Sequence, residues 1–313
     1  MNPTPGHALP ESDSVRPIAK PLPVAGQELT AKDYKGTLPP VWCPGCGDFA
    51  VLSAMQKALA DLKIPPHELV FVSGIGCSSR FPHFMNAYGF HAVHGRSLPV
   101  AVGLKLGMPD KTVIAVGGDG DGMAIGAGHF VHTARRNPKL VYVMMDNEIY
   151  GLTKGQVSPT SELGLKTKST PFATSEKSAD QPINPLALAI ISGATWVARA
   201  YSGKVKELTD LIKAAIAHEG YAFIQVISPC VTFHDIYEQA KANQRQLAPT
   251  HAVHDKFAAL NAAMTDHWVT GLFYEEKRQT LGGAVAKQQV EAAAKKDSGL
   301  AGLAQKILAT AAH

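Results

Sequence analysis

From residue 41 to about 240 the spacing of apolar positions changes back and forth along the chain. Short unbroken apolar runs, ELVFVSG (68–74), TVIAVGGDG (112–120) and KLVYVMMDN (139–147), read as buried strands that end in turn residues. DFAVLSAMQKALADL (48–62), SLPVAVGLKLG (97–107) and AIGAGHFVHTARRN (124–137) carry apolar residues at helical spacing. Asp48 and Ser97 stand where N-caps belong, Pro99 falls in a first helical turn, and Asn137-Pro138 closes the third helix. The pattern repeats with a helix over 184–194, a strand over 195–202, a helix over 205–220 and a strand over 222–230. Such alternation predicts an α/β fold, a mostly parallel sheet with helices on both faces.

Three stretches break the pattern. Residues 1–40 hold eight prolines and read as an extended N-terminal arm. Gly151 to about Gln181 is rich in Ser, Thr and Lys and reads as a long loop, a class that is usually functional or mobile. Residues 241–313 are weakly patterned, end in alanine-rich helical sequence, and are expected to form a partner-contacting extension of the domain at 41–240.

Composition narrows the function classes. With 313 residues, 45% hydrophobic and 18% charged, the chain can bury a large core and is not disordered as a whole. The net charge of +4 is scattered, so no basic run points to nucleic acid. The longest charge-free stretch, between Asp180 and Arg199, is interrupted by Gln181, two prolines, Asn184 and Ser192, which makes it a poor membrane span. The start, MNPTPGHALPESD, has neither the basic nor the apolar part of a secretory signal, so the cytoplasm is the expected compartment. In a reducing compartment the four cysteines point to metal binding or catalysis rather than disulfides.

The strongest local signal is VIAVGGDGDGMAIG, a strand running into Gly117-Gly118-Asp119-Gly120 and then a helix. Ligands of open α/β sheets sit at the carboxyl ends of strands, and glycines there admit a phosphate to the backbone. Carboxylates in the same turn would repel a bare phosphate, and a divalent cation such as Mg²⁺ resolves that conflict. The next strand ends at Asp146-Asn147-Glu148, with Asn147 placed 28 residues after Asp119. Adjacent parallel strands would bring both to one edge, where Asp119, Asn147 and a carbonyl near Ile149 suffice for one cation. Taken singly, each motif also reads as a tight turn or a helix cap. Neither GxGxxG after the first strand nor a Walker A motif is present.

Cys43 and Cys46 form a CxxC motif, while Cys77 (GIGCSSR) and Cys230 (ISPCVTF) each follow a predicted strand. Four thiolates gathered by strand ends suit either zinc or an iron–sulfur cluster. The alternative is that Cys77 and Cys230 are small buried hydrophobes.

Together, WCPGCGDF, GIGCSSRFPHF, HGRSLPVAVGLKLG, the GDGD turn and DNEIYGLTKGQ resemble the β subunit of 2-oxoacid:ferredoxin oxidoreductases, most closely the 2-oxoglutarate (2-oxoglutarate synthase) type. The GDG-to-asparagine pairing itself resembles the diphosphate signature of thiamine-diphosphate enzymes. The resemblance covers residues 41 to about 240. It implies thiamine diphosphate, Mg²⁺ on Asp119, Asn147 and the Ile149 carbonyl, and a [4Fe–4S] cluster on Cys43, Cys46, Cys77 and Cys230. It further implies a cofactor lining from Gly45, Cys46, Gly76, Ser78, His94, Gly95, Arg96, Gly118, Asp119, Gly120, Asp121, Asn147, Ile149, Tyr150, Gly151, Leu152 and Thr153, with Gln156 also in reach. Arg80 is expected beside cluster and thiazolium, facing a substrate carboxylate, with a structural ion pair as its alternative. His94 is expected at the diphosphate or substrate, with a core-edge hydrogen bond as its alternative, and Leu152 under the reacting carbon. The implied reaction is CoA-dependent oxidative decarboxylation of a 2-oxoacid, with electrons passed to ferredoxin. An α subunit would supply the pyrimidine half and its glutamate in an (αβ)₂ assembly. The competing readings are a non-oxidative thiamine enzyme, a zinc-stabilised non-catalytic subunit, and an electron carrier without thiamine.

Overall fold

The computed structural model describes residues 28–168, 170, 180–294 and 310. In chain order the strands are β1 (Leu69–Ser73), β2 (Tyr88–His91), β3 (Thr112–Gly118), β4 (Leu140–Asp146), β5 (Ile149–Tyr150), β6 (Gln156–Val157), β7 (Trp196–Tyr201), β8 (Tyr221–Ile227), β9 (Arg245–Gln246) and β10 (Val269–Glu275). The helices are α1 (Asp48–Asp61), α2 (Ser97–Gly107), α3 (Asp119–Met123), α4 (Ala127–Arg136), α5 (Pro185–Ser192), α6 (Val205–Ala217), α7 (Tyr237–Asn243), α8 (Lys256–Thr265) and α9 (Leu281–Ala294).

Eight strands form one sheet in the order β2-β1-β3-β4-β8-β7-β10-β9. The six strands from β2 to β7 run parallel, and β10 lies antiparallel to β7. The apolar runs are unbroken because both faces are covered. On β3, Ile114 and Val116 face the layer of α1 and α6, while Val113 and Ala115 face that of α2, α4 and α5. On β4 the same alternation sends Val141, Val143 and Met145 one way and Leu140, Tyr142 and Met144 the other. Each Val, Leu, Ile or Met among these contributes roughly 1.5–3 kcal/mol by leaving water. This is the mostly parallel α/β sheet that the sequence predicts.

Several sequence expectations change. The sheet does not end near residue 240: β10, from the weakly patterned tail, pairs with β7, and α8 packs against the same layer through Ala259 and Ala263. The far end of the alanine-rich tail and residues 1–27 of the proline arm lie outside the described residues, as do 169 and 171–179 of the polar loop. The rest of the arm is anchored, since buried Tyr34 donates its hydroxyl to the carbonyls of Leu59 (3.0 Å) and Ile64 (2.7 Å). Neither expected N-cap holds. Gly47 and Arg96 occupy those positions without side-chain caps, and Asp48 and Ser97 begin their helices and are buried. The helix expected over 124–137 is preceded by the short α3, which starts at Asp119 itself. No described helix is long and apolar enough to cross a membrane.

Candidate functional site

The carboxyl ends of β1, β3 and β4 open into a cavity of about 400 Å³. Its wall includes Gly76, Cys77 and Ser78 after β1, His94 before α2, and Gly118, Asp119, Gly120 and Asp121 at the β3–α3 turn. Asn147, Ile149, Tyr150, Gly151, Leu152 and Thr153 complete it, together with Ile75 and Gln156. Gly45, Cys46, Gly95, Arg96 and Arg80 do not line it.

Asp119 opens α3 and is buried at 2% exposure. Its Oδ1 lies 3.5 Å from the Asn147 backbone N–H, and its Oδ2 lies 2.8 Å from the Thr160 hydroxyl. Burial lifts its carboxyl to about 6, against hydrogen bonds that pull it down. Asn147 reaches the cavity through a kink, because Glu148 holds a left-handed backbone at φ 57°, a conformation that costs about 1 kcal/mol for a residue with a Cβ. Three bonds hold the kink: Glu148 N–H to Asp146 Oδ1 (3.2 Å), Ile149 N–H to Asn147 Oδ1 (3.1 Å), and the Ser161 hydroxyl to the Glu148 carbonyl. The two oxygen-bearing residues therefore meet at one strand edge, as their spacing suggests.

Asp121 does something else. Its Oδ1 accepts the N–H groups of Ile75 (2.9 Å) and Gly95 (2.7 Å) and pairs with His94 Nδ1 at 3.0 Å. It thus staples the β1 and α2 loops to the glycine turn. Gly95 takes φ +71°, and a side chain there would collide with Ile125 and the Gly126 backbone. At Gly74 a Cβ would stand 1.9 Å from Asp121 Oδ2, so only glycine admits the carboxylate. Among the described residues that Oδ2 is buried without a partner, and burial raises the carboxyl above its ordinary range.

On the far side, Tyr150 donates its hydroxyl to the Gly120 carbonyl at 3.1 Å. Thr153 and Gln156 bond each other, with Gln156 Nε2 also 2.7 Å from the Thr153 carbonyl. Leu152 stands 44% exposed at the mouth. Arg96 turns away, its guanidinium 3.4 Å from the Ile125 carbonyl. Arg80 is exposed and belongs to a second hollow with Leu38, Val41, His83 and His91. It is close enough to Cys77 to favour that thiolate, but it lines this second hollow (within the 3₁₀ turn Ser78–Phe84) and not the first cavity, so the expected position facing the cofactor is not the one it holds.

The four cysteines do gather. A Cβ on Gly151 would lie 3.7 Å from both Cys77 Sγ and Cys230 Sγ. Cys46 is coupled electrostatically to Cys77 and Cys230, and Cys77 to Cys43 and Cys230. Cys43 is exposed and the other three are partly buried. Burial and the neighbouring Asp48 raise the Cys46 thiol well above its ordinary value and the Cys77 thiol to about 11. The CxxC loop is closed by a 3.0 Å bond from Cys46 N–H to the Cys43 carbonyl. It is tied to the Cys77 segment by Trp42, whose indole N–H donates to the Cys77 carbonyl at 2.7 Å. The Gly45 carbonyl accepts the Tyr237 hydroxyl at 2.8 Å. Among the described residues no three His, Cys, Asp or Glu side chains converge tightly enough to share one metal ion. A multi-iron cluster binds each thiolate through a different atom and spreads them wider than zinc does.

Sequence reasoning misses two groups here. Thr160 lies within the polar run read as loop. Asp48, read as a cap, is instead a buried acid behind the cysteines, accepting the Ser228 hydroxyl at 2.8 Å, with its carboxyl lifted to about 6 mainly by burial.

Residues 74–226, the part of the chain that builds this cavity, match the family model described as the C-terminal TPP-binding domain of thiamine pyrophosphate enzymes. The chain is also similar to subunit beta of 2-oxoacid:ferredoxin oxidoreductase 1 of Aeropyrum pernix, 53% identical over 196 residues, 63% of this chain and 60% of that protein. It therefore spans under two thirds of that relative's length. The 2-oxoglutarate synthase subunit KorB of Methanocaldococcus jannaschii is 42% identical over 63% of this chain and 72% of its own length. Among solved structures, a 2-oxoglutarate:ferredoxin oxidoreductase from Magnetococcus marinus, with 2-oxoglutarate, coenzyme A and succinyl-CoA bound, matches with a TM-score of 0.83 and 39% identity, over 91% of this chain and 97% of that one. The chain belongs to the family of 2-oxoacid:ferredoxin oxidoreductase β subunits.

Proposed function

We propose that this chain is the cofactor-binding β subunit of an enzyme that converts a 2-oxoacid, coenzyme A and oxidised ferredoxin to acyl-CoA, CO₂ and reduced ferredoxin. The substrate we assign is 2-oxoglutarate, in keeping with the names of the Methanocaldococcus and Magnetococcus relatives. One observation carries the reading. Gly151 walls the cavity and also lies against Cys77 and Cys230, so the cavity and these two thiols share one partition.

The donor sets suit the groups assigned to them. Asp119 and the Asn147 amide, with the Ile149 carbonyl, would hold Mg²⁺. The unbalanced charge of buried Asp119 is what a divalent cation neutralises. Gly118, Gly120 and the backbone around them would admit the diphosphate. Cys43, Cys46, Cys77 and Cys230 would hold a [4Fe–4S] cluster, which takes four thiolate ligands. When bound, thiamine diphosphate supplies the nucleophilic carbon and the electron sink for loss of CO₂. The chain's own residues bind, orient and shield. Asp121 fixes the His94 ring through Nδ1, which leaves its other nitrogen for the diphosphate or substrate. Leu152 offers an apolar floor at the mouth.

The acids of the cavity wall are aspartates, and among the described residues no glutamate lines it. The glutamate that thiamine enzymes set against the aminopyrimidine would come from a partner α subunit, with the site at the α–β boundary of an (αβ)₂ assembly. The test is iron, sulfide and visible absorption on the complex purified anaerobically with that partner. About four irons with sulfide per β chain and a brown colour are expected. One zinc and no colour would remove the electron path and leave only the thiamine site.

A further inference from the structure

Behind Asp119 lies a turn that the proposed function does not use. Ser158, Thr160 and Ser161 are buried together, and the Ser158 N–H donates to Ser161 Oγ at 2.8 Å. Ser161 in turn holds the Glu148 carbonyl, so the turn is fixed to the same kink that presents Asn147. Buried hydroxyls in a polar run are costly unless they have partners, and that of Thr160 has two carboxylates. It stands 2.8 Å from Asp119 Oδ2 and 2.9 Å from Asp146 Oδ1.

We propose that Thr160 is the positioning residue of the cation-binding carboxylate. Its hydroxyl pins Oδ2 of Asp119 and leaves Oδ1 on the side of Asn147. This rests on the reading of Asp119 and Asn147 as divalent-cation ligands. A threonine hydroxyl has one hydrogen and donates to one acceptor at a time. In a chain without a cation, Asp119 and Asp146 compete for it. Oδ2 of Asp119 is the nearer acceptor, and while the hydrogen points there Thr160 holds the ligand carboxylate both without the cation and with it. Asp146 is otherwise held by Gln225 Nε2 at 2.6 Å, and Gln225 by buried Arg199 at 2.9 Å. Arg199 also donates to the Asp266 carbonyl at 2.9 Å, just before β10. Thr160 thereby stands between the ligand carboxylate and a chain of hydrogen bonds, through Asp146, Gln225 and Arg199, that reaches the antiparallel edge of the sheet.

The test uses the co-purified α–β complex stripped of cation and cofactor. Mg²⁺ is titrated at fixed thiamine diphosphate by calorimetry, and thiamine diphosphate is then titrated at saturating Mg²⁺. Removing a ligand's hydrogen-bond partner costs about 10- to 100-fold in metal affinity. Thr160→Val is expected to raise half-saturating Mg²⁺ by that factor while leaving cofactor affinity at saturating Mg²⁺ near wild type. Thr160→Ser, which keeps the hydroxyl, is expected to titrate like wild type. If Thr160→Val does not assemble, Thr160→Ala removes the same hydroxyl with less bulk and carries the same expectation. A valine or alanine variant with unchanged Mg²⁺ demand overturns the proposal, as does a serine variant as impaired as valine. A wild-type complex that binds thiamine diphosphate without any divalent cation overturns the cation reading itself, and this inference with it.

Discussion

Buried polar groups gather at both ends of the central strands, and the two gatherings differ in charge. At the amino ends, Asn137 Oδ1 accepts the Thr195 hydroxyl and the Tyr221 N–H, each at 2.7 Å. Its amide nitrogen donates to the carbonyls of Arg278 (3.2 Å) and Gln279 (3.3 Å). Every hydrogen-bonding position of that side chain is filled from within the chain. His218, 2.8 Å from Thr195, has its imidazole pKa lowered by burial and stays neutral at pH 7. At the carboxyl ends, Asp119, Asp121 and Asp146 are buried together, burial lifts all three carboxyls, and one oxygen of Asp121 has no partner among the described residues. The first cluster is complete once the chain folds. The second is built from groups that cost stability as they stand, which marks it as a place prepared for something the chain does not itself provide.

Exchanging the charge tests that contrast most severely. Asp119→Asn is expected to abolish Mg²⁺-dependent thiamine diphosphate binding in the α–β complex, without lowering the melting temperature of the cation-free form. A clear drop in melting temperature would make Asp119 as structural as Asn137 and dissolve the distinction. Asn137→Ala should do the reverse. Stranding its partners should cost about 3 kcal/mol in urea unfolding, with cofactor affinity of the folded complex unchanged.

A smaller effect is expected from pH. The carboxyls of Asp48 and Asp119 are lifted by burial to about 6, and that of Asp146 goes up further. An acid with a higher pKa in the fold than in the unfolded chain holds its proton more tightly when folded. Its stabilising contribution is therefore full below pH ~4 and is lost as pH rises through about 6. The cation-free protein should lose about 3 kcal/mol from Asp48 and Asp119 between pH 5 and 8, with Asp146 adding to the same slope, and saturating Mg²⁺ with cofactor should flatten the curve. A cation-free stability that climbs over that range would contradict the assignment. The least effect is expected at Gln156. It is occupied by Thr153, so Gln156→Ala should leave cofactor affinity within about twofold.

Much of the site is legible in the sequence because it lies where regular elements stop. β3 and β4 are unbroken apolar runs, and the residues that follow them, Asp119 and Asn147, are brought to one edge by parallel pairing alone. Strand ends likewise account for Cys77 and Cys230. The hidden parts belong to segments without a period. β2 (Tyr88–His91) is exposed along its whole length and gives no alternation to detect, and β10 sits in a tail of mixed pattern. Thr160 is one hydroxyl among many in a polar run, and only the fold shows that it is buried between two acids. Arg80 misleads for a related reason. Its distance from Cys77 in sequence is short, but from within a 3₁₀ turn of seven residues it lines a different hollow.

Trp42 has a use beyond packing. Its indole is 7% exposed, is set edge-on to Phe49 and Phe84, and is hydrogen-bonded to the backbone of Cys77 beside Cys43. An excited indole passes its energy to a visible-absorbing neighbour instead of emitting. If the proposed cluster forms on the adjoining sulfurs, the indole's glow should therefore dim on loading and brighten on stripping. Subtracting the signal of a Trp42→Phe form removes the background of the chain's other two tryptophans, which turns this residue into an internal lamp for following assembly in real time.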